Sequence, residues 1–320
     1  MFNIIKHRNP KAALMIFFIA VGVIISCQNN GTPKINQTPT SGETKIMADE
    51  SYIPMVDSQI RVFTSLYKLV HITPVYKAEK QLIADFLNDS VDVVVTSWTP
   101  SESLKEALLK TQVVIRTVQV AHDALALVMN RNNMDSLLTY DMVRDIFTGK
   151  ITSWKQINPE SKHGNINMVF DNDSSANIRY FKEKFNLSGQ LPPNFFALNS
   201  NPEVINYVSK SPDALGIVSV NWISDREDSL SRKFSGMVKV AAISQEFLDR
   251  NSFYFPVQGS IYDNTYPFVR TVNMLSRESS TGPGSGFIAW VAGEQGQRII
   301  LKAGLVPATM PIRMVQTRKQ

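Results

Sequence analysis

The chain has 320 residues, 43% hydrophobic and 19% charged, with 16 prolines, 15 glycines and one cysteine; this length suits about two domains, and the composition excludes collagen-like, low-complexity and wholly disordered chains. A single cysteine excludes a disulfide framework and Cys-rich zinc or iron–sulfur centres, and His7, His71, His122 and His163 form no HExxH pair, so neither metal nor cofactor is expected. The net charge of +5 includes Lys6, Arg8 and Lys11, and from residue 27 onward 30 basic residues face 28 acidic ones, which is not the clustered basic face of a nucleic-acid binder.

Those three basic residues precede an uncharged apolar run of 14 residues, Ala12 to Ile25. The run is short for a membrane span and right for the apolar region of a signal peptide. It closes on Ile24-Ile25-Ser26-Cys27, which resembles the bacterial lipobox, with Cys27 as the lipidated residue. Residues 1–26 are therefore expected to be a lipoprotein signal peptide. Residues 27–44, polar and rich in Asn, Thr and Pro, are expected to be a flexible tether to the membrane.

From residue 45 short apolar runs alternate with amphipathic stretches, which predicts an α/β fold with a mostly parallel sheet. Strands are expected at 44–48, 72–76 and 91–96, with helices at 54–67, 80–87 and 100–109 between and after them. Further strands are expected at 123–129, 166–170, 215–220, 238–242 and 269–275. The later helices are expected near 139–147, 176–185, 202–210 and 285–302.

Three strand-to-helix junctions are rich in hydroxyl and acidic residues: Ala48-Asp49-Glu50-Ser51, the run from Thr96 to Glu102, and the run from Phe170 to Ala176. In the second, Thr99, Pro100 and Glu102 fit the cap, first and third positions of a capping box. A helix N-terminus carries unpaired N–H groups and partial positive charge, so three converging junctions could wrap a small oxyanion, with Arg179 one turn into the third helix. The same residues also serve as ordinary caps. Asp49, Glu50, Asp171 and Asp173 oppose a fully ionised anion unless a carboxylate accepts a hydrogen bond from it.

The segment LTYDMVRDIFTGKITSWKQIN (138–158) closely resembles the start of the second lobe in PstS-like phosphate-binding proteins of ABC transporters. The runs GFIAW (286–290), GQRII (296–300) and GLVP (304–307) resemble their C-terminal helix and tail. VFDNDSS (169–175), YVSKSPDALGIVSVNWIS (207–224) and LVPATMP (305–311) resemble the lipoprotein branch of Bacteroidetes-type bacteria. The resemblance spans nearly all of 45–315 and implies a type II periplasmic-binding fold. Lobe one would comprise 45–120 and 265–320 and lobe two 121–264, with crossings near 119–124 and 262–267 and a ligand cleft between the lobes.

Carried over residue by residue, the resemblance implies Ser51, Thr96, Ser97, Ser174 and Ser175 as oxyanion ligands, with Arg179 supplying charge. Three positions depart from the family pattern: Ala176 where a Thr is common, Ser97 where an Arg is expected, and Phe170 where an Arg often stands. The implied function is a lipid-anchored, non-enzymatic binding protein of the cell envelope, facing the periplasm or the cell surface. It would be monomeric, capture phosphate or a related oxyanion, and deliver it to an ABC permease. A scavenging or sensory lipoprotein and a phosphoester hydrolase are the alternatives.

Enzyme motifs are weak. GSGFIA (284–289) matches a dinucleotide fingerprint but lacks a following βαβ unit, so it reads as a turn and helix start. His122-Asp123 reads as a polar pair near a crossing. Of the four tryptophans, Trp98 stands inside the second junction.

Overall fold

A computed structural model describes residues 37–246 and 252–311. The signal peptide, Cys27 and the tether up to residue 36 lie outside the described residues. Among the described residues no helix is long and apolar enough to cross a membrane.

In chain order the elements are β1 (Ser41–Asp49), α1 (Ile53–Leu66), β2 (Leu69–Lys77), α2 (Glu79–Leu87), β3 (Val93–Thr96), α3 (Glu102–Lys110) and β4 (Arg116–Asn130). They continue with β5 (Leu137–Leu138), α4 (Tyr140–Phe147), α5 (Trp154–Ile157), β6 (Asn167–Phe170), α6 (Ala176–Lys184), β7 (Phe195–Ala197), α7 (Asn201–Lys210) and β8 (Ala214–Ser219). The remainder comprises α8 (Ser229–Met237), β9 (Val238–Val240), β10 (Ala242–Ser244), β11 (Phe253–Tyr254), α9 (Gln258–Tyr262), β12 (Val269–Ser276), α10 (Pro283–Ala292), α11 (Glu294–Lys302) and β13 (Val306–Pro307).

The main sheet runs β2-β1-β3-β12-β4-β8-β6-β7, with β9 and β13 also on β4. It is mixed rather than mostly parallel. β1 is parallel to β2 and β3, and β6 to β7 and β8. The central β12 and β4, however, pair antiparallel with each other and with their outer neighbours. β4 joins the two halves: its residues up to Ala124 pair with β12, and from Leu125 it pairs with β8.

Alternation along the strands sorts side chains onto two faces. Ile46, Ala48, Val93 and Val95 enter the large core, whereas Met47 and Val94 pack with Leu82 and Phe86 of α2 on the other face. In α1, Met55, Val56, Gln59 and Phe63 are buried at helical spacing.

Several boundaries differ from expectation. β1 starts at Ser41, and residues 41–43, assigned to the tether, pair with Leu69, Val70 and His71. The single helix expected at 285–302 is two, α10 and α11, separated at Gly293. A Cβ at Gly296 would stand 2.4 Å from the Cα of Val291, so only glycine lets α11 turn this tightly against α10. The strand expected at 238–242 is likewise two, β9 and β10, in different sheets. Gly284 and Gly286, the glycines of the apparent fingerprint, have packing roles: a Cβ at Gly286 would meet the Pro39 carbonyl at 2.0 Å.

Candidate ligand site

β1 and β3 in one half of the sheet, and β6 running the opposite way in the other half, deliver the three junctions from their carboxyl ends, where α/β sheets present ligands. β1 ends in a short 3-10 turn, Glu50–Tyr52, capped by Asp49, whose Oδ1 accepts from the Ser51 N–H at 3.0 Å. β6 ends at Phe170, and Ser175 caps α6 by accepting from the Ile178 N–H. After β3 the capping residue of α3 is Ser101, not Thr99. Ser101 Oγ accepts from the Leu104 N–H at 3.3 Å, while Thr99 Oγ1 accepts from Asn273.

The second and third junctions converge on one carboxylate. Glu79 Oε1 accepts from Thr96 Oγ1 at 2.6 Å, Ser97 Oγ at 3.0 Å, and the N–H groups of Ser97 at 3.2 Å and Trp98 at 3.1 Å. Arg179 Nε donates to Glu79 Oε2, and its Nη2 donates to Glu79 Oε1 at 3.3 Å and to Ser97 Oγ at 2.9 Å. Burial opposes ionisation of Glu79, but the hydrogen bond and charge of Arg179, with Thr96, hold its carboxyl below the ordinary range. Three predicted ligands, Thr96, Ser97 and Arg179, thus form a nest of hydroxyl, N–H and guanidinium donors. The nest encloses an oxyanion supplied by the chain itself.

Ser51 and Ser175 belong to an adjoining network. Ser51 Oγ donates to Asn177 Oδ1 at 3.0 Å; Asn177 Nδ2 and Ser175 Oγ donate to the two oxygens of Asp171 at 3.1 and 2.6 Å. The first and third junctions are thereby linked, but both hydroxyls are already engaged with protein partners. Ser174 is half-buried and lines an outer groove rather than the nest. Phe170, where an Arg often stands in the family, is part of the hydrophobic core, and Ala176 is buried at the first turn of α6.

A third cluster lies where β4 changes partner. Arg270 on β12 is buried, its Nε donating to Asp123 Oδ2 at 2.9 Å, and its guanidinium carbon lies 5.1 Å from the centre of the Tyr52 ring. Ser219 Oγ donates to Asp123 Oδ1 at 2.9 Å. Burial opposes the Arg270 charge, but the surrounding Tyr52, Asp123 and Asp49 hold it above the ordinary arginine range. Arg270 Nη1, the Tyr52 hydroxyl, Asp49 Oδ2 and Asn221 Oδ1 are buried without a hydrogen-bond partner. Unpaired buried groups of this kind ask for a ligand or water.

The surroundings are acidic. Asp49 is pushed up to about 7 by burial, reinforced by Glu79 and Asp171, and Glu50 up to about 8 by burial and then Asp171. Both line a cleft of about 310 Å³ together with Lys77, Gln81, Asp171 and Asn199. Raised carboxyls carry protons near neutrality and can donate to an anion instead of repelling it.

Arg270 and Glu79 were not singled out from sequence. Arg270 is the lone charge in the apolar run VRTVNML (269–275), a signal of a buried ion. Glu79, among the charges opening an amphipathic helix, gives no such signal. The adjacent His122 and Asp123 do not bond to each other: His122 Nε2 lies 2.9 Å from Gln119 Nε2, while Asp123 turns to Arg270. Among the described residues no cluster of His, Cys, Asp and Glu is arranged to hold a metal.

Residues 35–295 match the model of the PBP superfamily domain. The chain belongs to the PBP superfamily. Its relatives include the phosphate-binding protein PstS of Bacillus subtilis, 24% identical over 192 residues, covering 60% of this chain and 57% of that one. PstS of Staphylococcus saprophyticus is 22% identical over 205 residues, 63% of this chain and 60% of that one. The match thus spans less than two thirds of these relatives.

Among solved PBP structures, an ABC-type phosphate transport receptor from Vibrio cholerae matches with a TM-score of 0.62 at 20% identity, over 83% of this chain and 100% of that one. A Clostridium perfringens protein assigned as a phosphate ABC transporter substrate-binding protein, solved with bound phosphate, matches with a TM-score of 0.70 at 20% identity, over the same shares. At these identities the likeness is one of fold, and it is the mixed α/β fold of periplasmic binding proteins.

Proposed function

We propose that this PBP superfamily chain is an extracytoplasmic solute-binding protein. It captures an oxyanion of the phosphate class, inorganic phosphate being the first to test, and passes it to the permease of an ABC importer. The observation that carries this reading is the nest around Glu79. Two hydroxyls, two backbone N–H groups and a guanidinium already enclose a carboxylate there, and the same donors suit any small oxyanion. Phosphate-binding relatives support the choice of ligand.

The cleft lies between lobes 45–120 plus 265–320 and 121–264, with β4 as one crossing. Closure brings Arg179 of α6 to the Thr96–Ser97 turn, and Ser51 to Asn177, so the ligand is gripped from both sides. Cys27, lipidated, tethers the protein to the membrane, and the protein performs no chemistry on its ligand. A micromolar site requires about −8 kcal/mol, which a handful of charge-assisted hydrogen bonds at roughly 1.5–3 kcal/mol each supplies after the costs of closure.

Calorimetric titration of the full chain in detergent with phosphate tests this reading. Micromolar binding that weakens at least tenfold in Thr96→Ala and Arg179→Ala is expected. No heat from phosphate, sulfate or molybdate would remove the oxyanion reading.

A further inference from the structure

A groove of about 680 Å³ adjoins the nest, and Glu79 and Arg179 line it as well. Its walls come from both sides of the cleft. Ile83 of α2 and the Trp98 ring stand on one side, and Ile178 of α6 with Leu187 beyond it on the other; Lys80 and Lys182 stand among them. Neither lysine makes an ion pair among the described residues.

The volume falls in the range of sites for drug-sized molecules, and the four apolar side chains form a strip within a lining that also carries the acidic Asp173 and Glu183 and several serines. A four-oxygen anion fills only a small part of that space and has no use for the apolar walls. Trp98 ties groove and nest together: its N–H donates to Glu79 Oε1 at 3.1 Å while its side chain forms part of the groove wall.

Arg179 Nη1 donates to Glu183 at 2.7 Å, and the Glu183 side chain is 63% exposed. An exposed pair of this kind contributes little, so this donor is available to a ligand. Glu79 itself sits at the first position of α2, beside Lys80, on the rim of the same groove.

We propose that the preferred ligand is an organic oxyanion: a phosphate or phosphonate head on an apolar, ring-sized body. The head takes the place of the Glu79 carboxylate among Thr96, Ser97 and Arg179. The body lies along the groove over Trp98, between Ile83 and Leu187. This rests on the oxyanion reading above and adds what the anion is attached to.

The test is calorimetric titration of the full chain in detergent with inorganic phosphate, methylphosphonate, phenylphosphonate and phenyl phosphate. The same ligands are titrated into the Ile83→Ala/Leu187→Ala variant, whose folding is checked by circular dichroism. Phenylphosphonate is expected to bind at least tenfold tighter than methylphosphonate. In the variant that preference should shrink to within threefold while methylphosphonate affinity stays within twofold of the parent.

Phenyl phosphate following phenylphosphonate supports a site indifferent to ester or carbon linkage; phenylphosphonate alone bound tightly narrows the class to phosphonates. Equal binding of methyl- and phenylphosphonate, or a preference that survives in the variant, overturns the inference and leaves the oxyanion reading standing. Failure of all four ligands overturns both.

Discussion

Glu79 is a built-in rival for any external anion. Thr96, Ser97 and Arg179 spend their donors on it, so a ligand entering the nest must displace a carboxylate that is buried and held charged. Glu79→Gln keeps the shape but weakens the rival, and calorimetry should show oxyanion affinity rising about tenfold, equivalent to roughly 1.4 kcal/mol. If Glu79 instead served as an acceptor for the ligand, affinity would fall.

Asp49 gives the pH dependence. Its carboxyl is raised from 3.8 to about 7 in the folded chain, chiefly by burial. The folded state therefore holds a proton that the unfolded chain has lost. The associated stability is full below about pH 4 and disappears as pH rises through about 7. In urea denaturation, the stability of the parent relative to Asp49→Asn, which keeps the Oδ1 acceptor for Ser51, should fall by about 3 kcal/mol between pH 5 and pH 8.5. A difference independent of pH would refute the raised carboxyl.

The meeting of Thr96, Ser97 and Arg179 was legible only in part: the junctions read equally as ordinary caps, Thr96 and Ser97 came from the family resemblance, and the structure brings the three together around Glu79. Ser51 and Ser175 were also legible as junction residues, but their hydroxyls go to Asn177 and Asp171. Pairings 126 residues apart, such as Ser51 with Asn177, carry no local signal.

At the scale of elements, periodicity located most strands and helices and misjudged their ends. The α3 cap is one example. The spacing from Thr99 to Glu102 suits a capping box, yet Ser101 holds the helix and Thr99 holds Asn273. Ser101→Ala should lower stability by about 1 kcal/mol through loss of the cap, read as a shift in the urea midpoint. An unchanged midpoint would show that this cap contributes nothing.

The break between α10 and α11 is another example. An unbroken amphipathic pattern suggested one helix, but Gly293 and Gly296 let the chain turn back on itself, with the Gly296 carbonyl accepting from Gln59 Nε2 at 2.8 Å. Gly296→Ala would push a methyl onto the Val291 backbone. It should cost about 1–3 kcal/mol, again measured by denaturation. The short strands β5, β7 and β11 and the half of β4 before residue 123 carry little pattern, because they are two or three residues long or form an exposed polar stretch.

At the scale of the molecule, the α/β class was legible from alternating apolar runs, whereas the mixed sheet was not. Strand direction depends on where β12 returns to the sheet, and it slots between β3 and β4 from a place late in the chain. That return also brings Arg270 to Asp123, so the arginine at the centre of the fold arrives by topology and not by a motif. Hydrogen bonds joining α6 and the turn before it to the first half of the sheet include Arg179 to Glu79 and Ser97, Asn177 to Ser51, and the Lys80 N–H to the Ser174 carbonyl at 3.1 Å.

The central claim is that the Thr96–Ser97–Arg179 nest binds an external oxyanion. The most direct measurement is calorimetric titration of the ligand-stripped full chain with phosphate, alongside Arg179→Ala and Glu79→Gln. The account predicts micromolar binding by the parent, a loss of at least tenfold in the first variant and a gain of about tenfold in the second. Phosphate affinity that is the same in all three proteins would place the ligand elsewhere and contradict it.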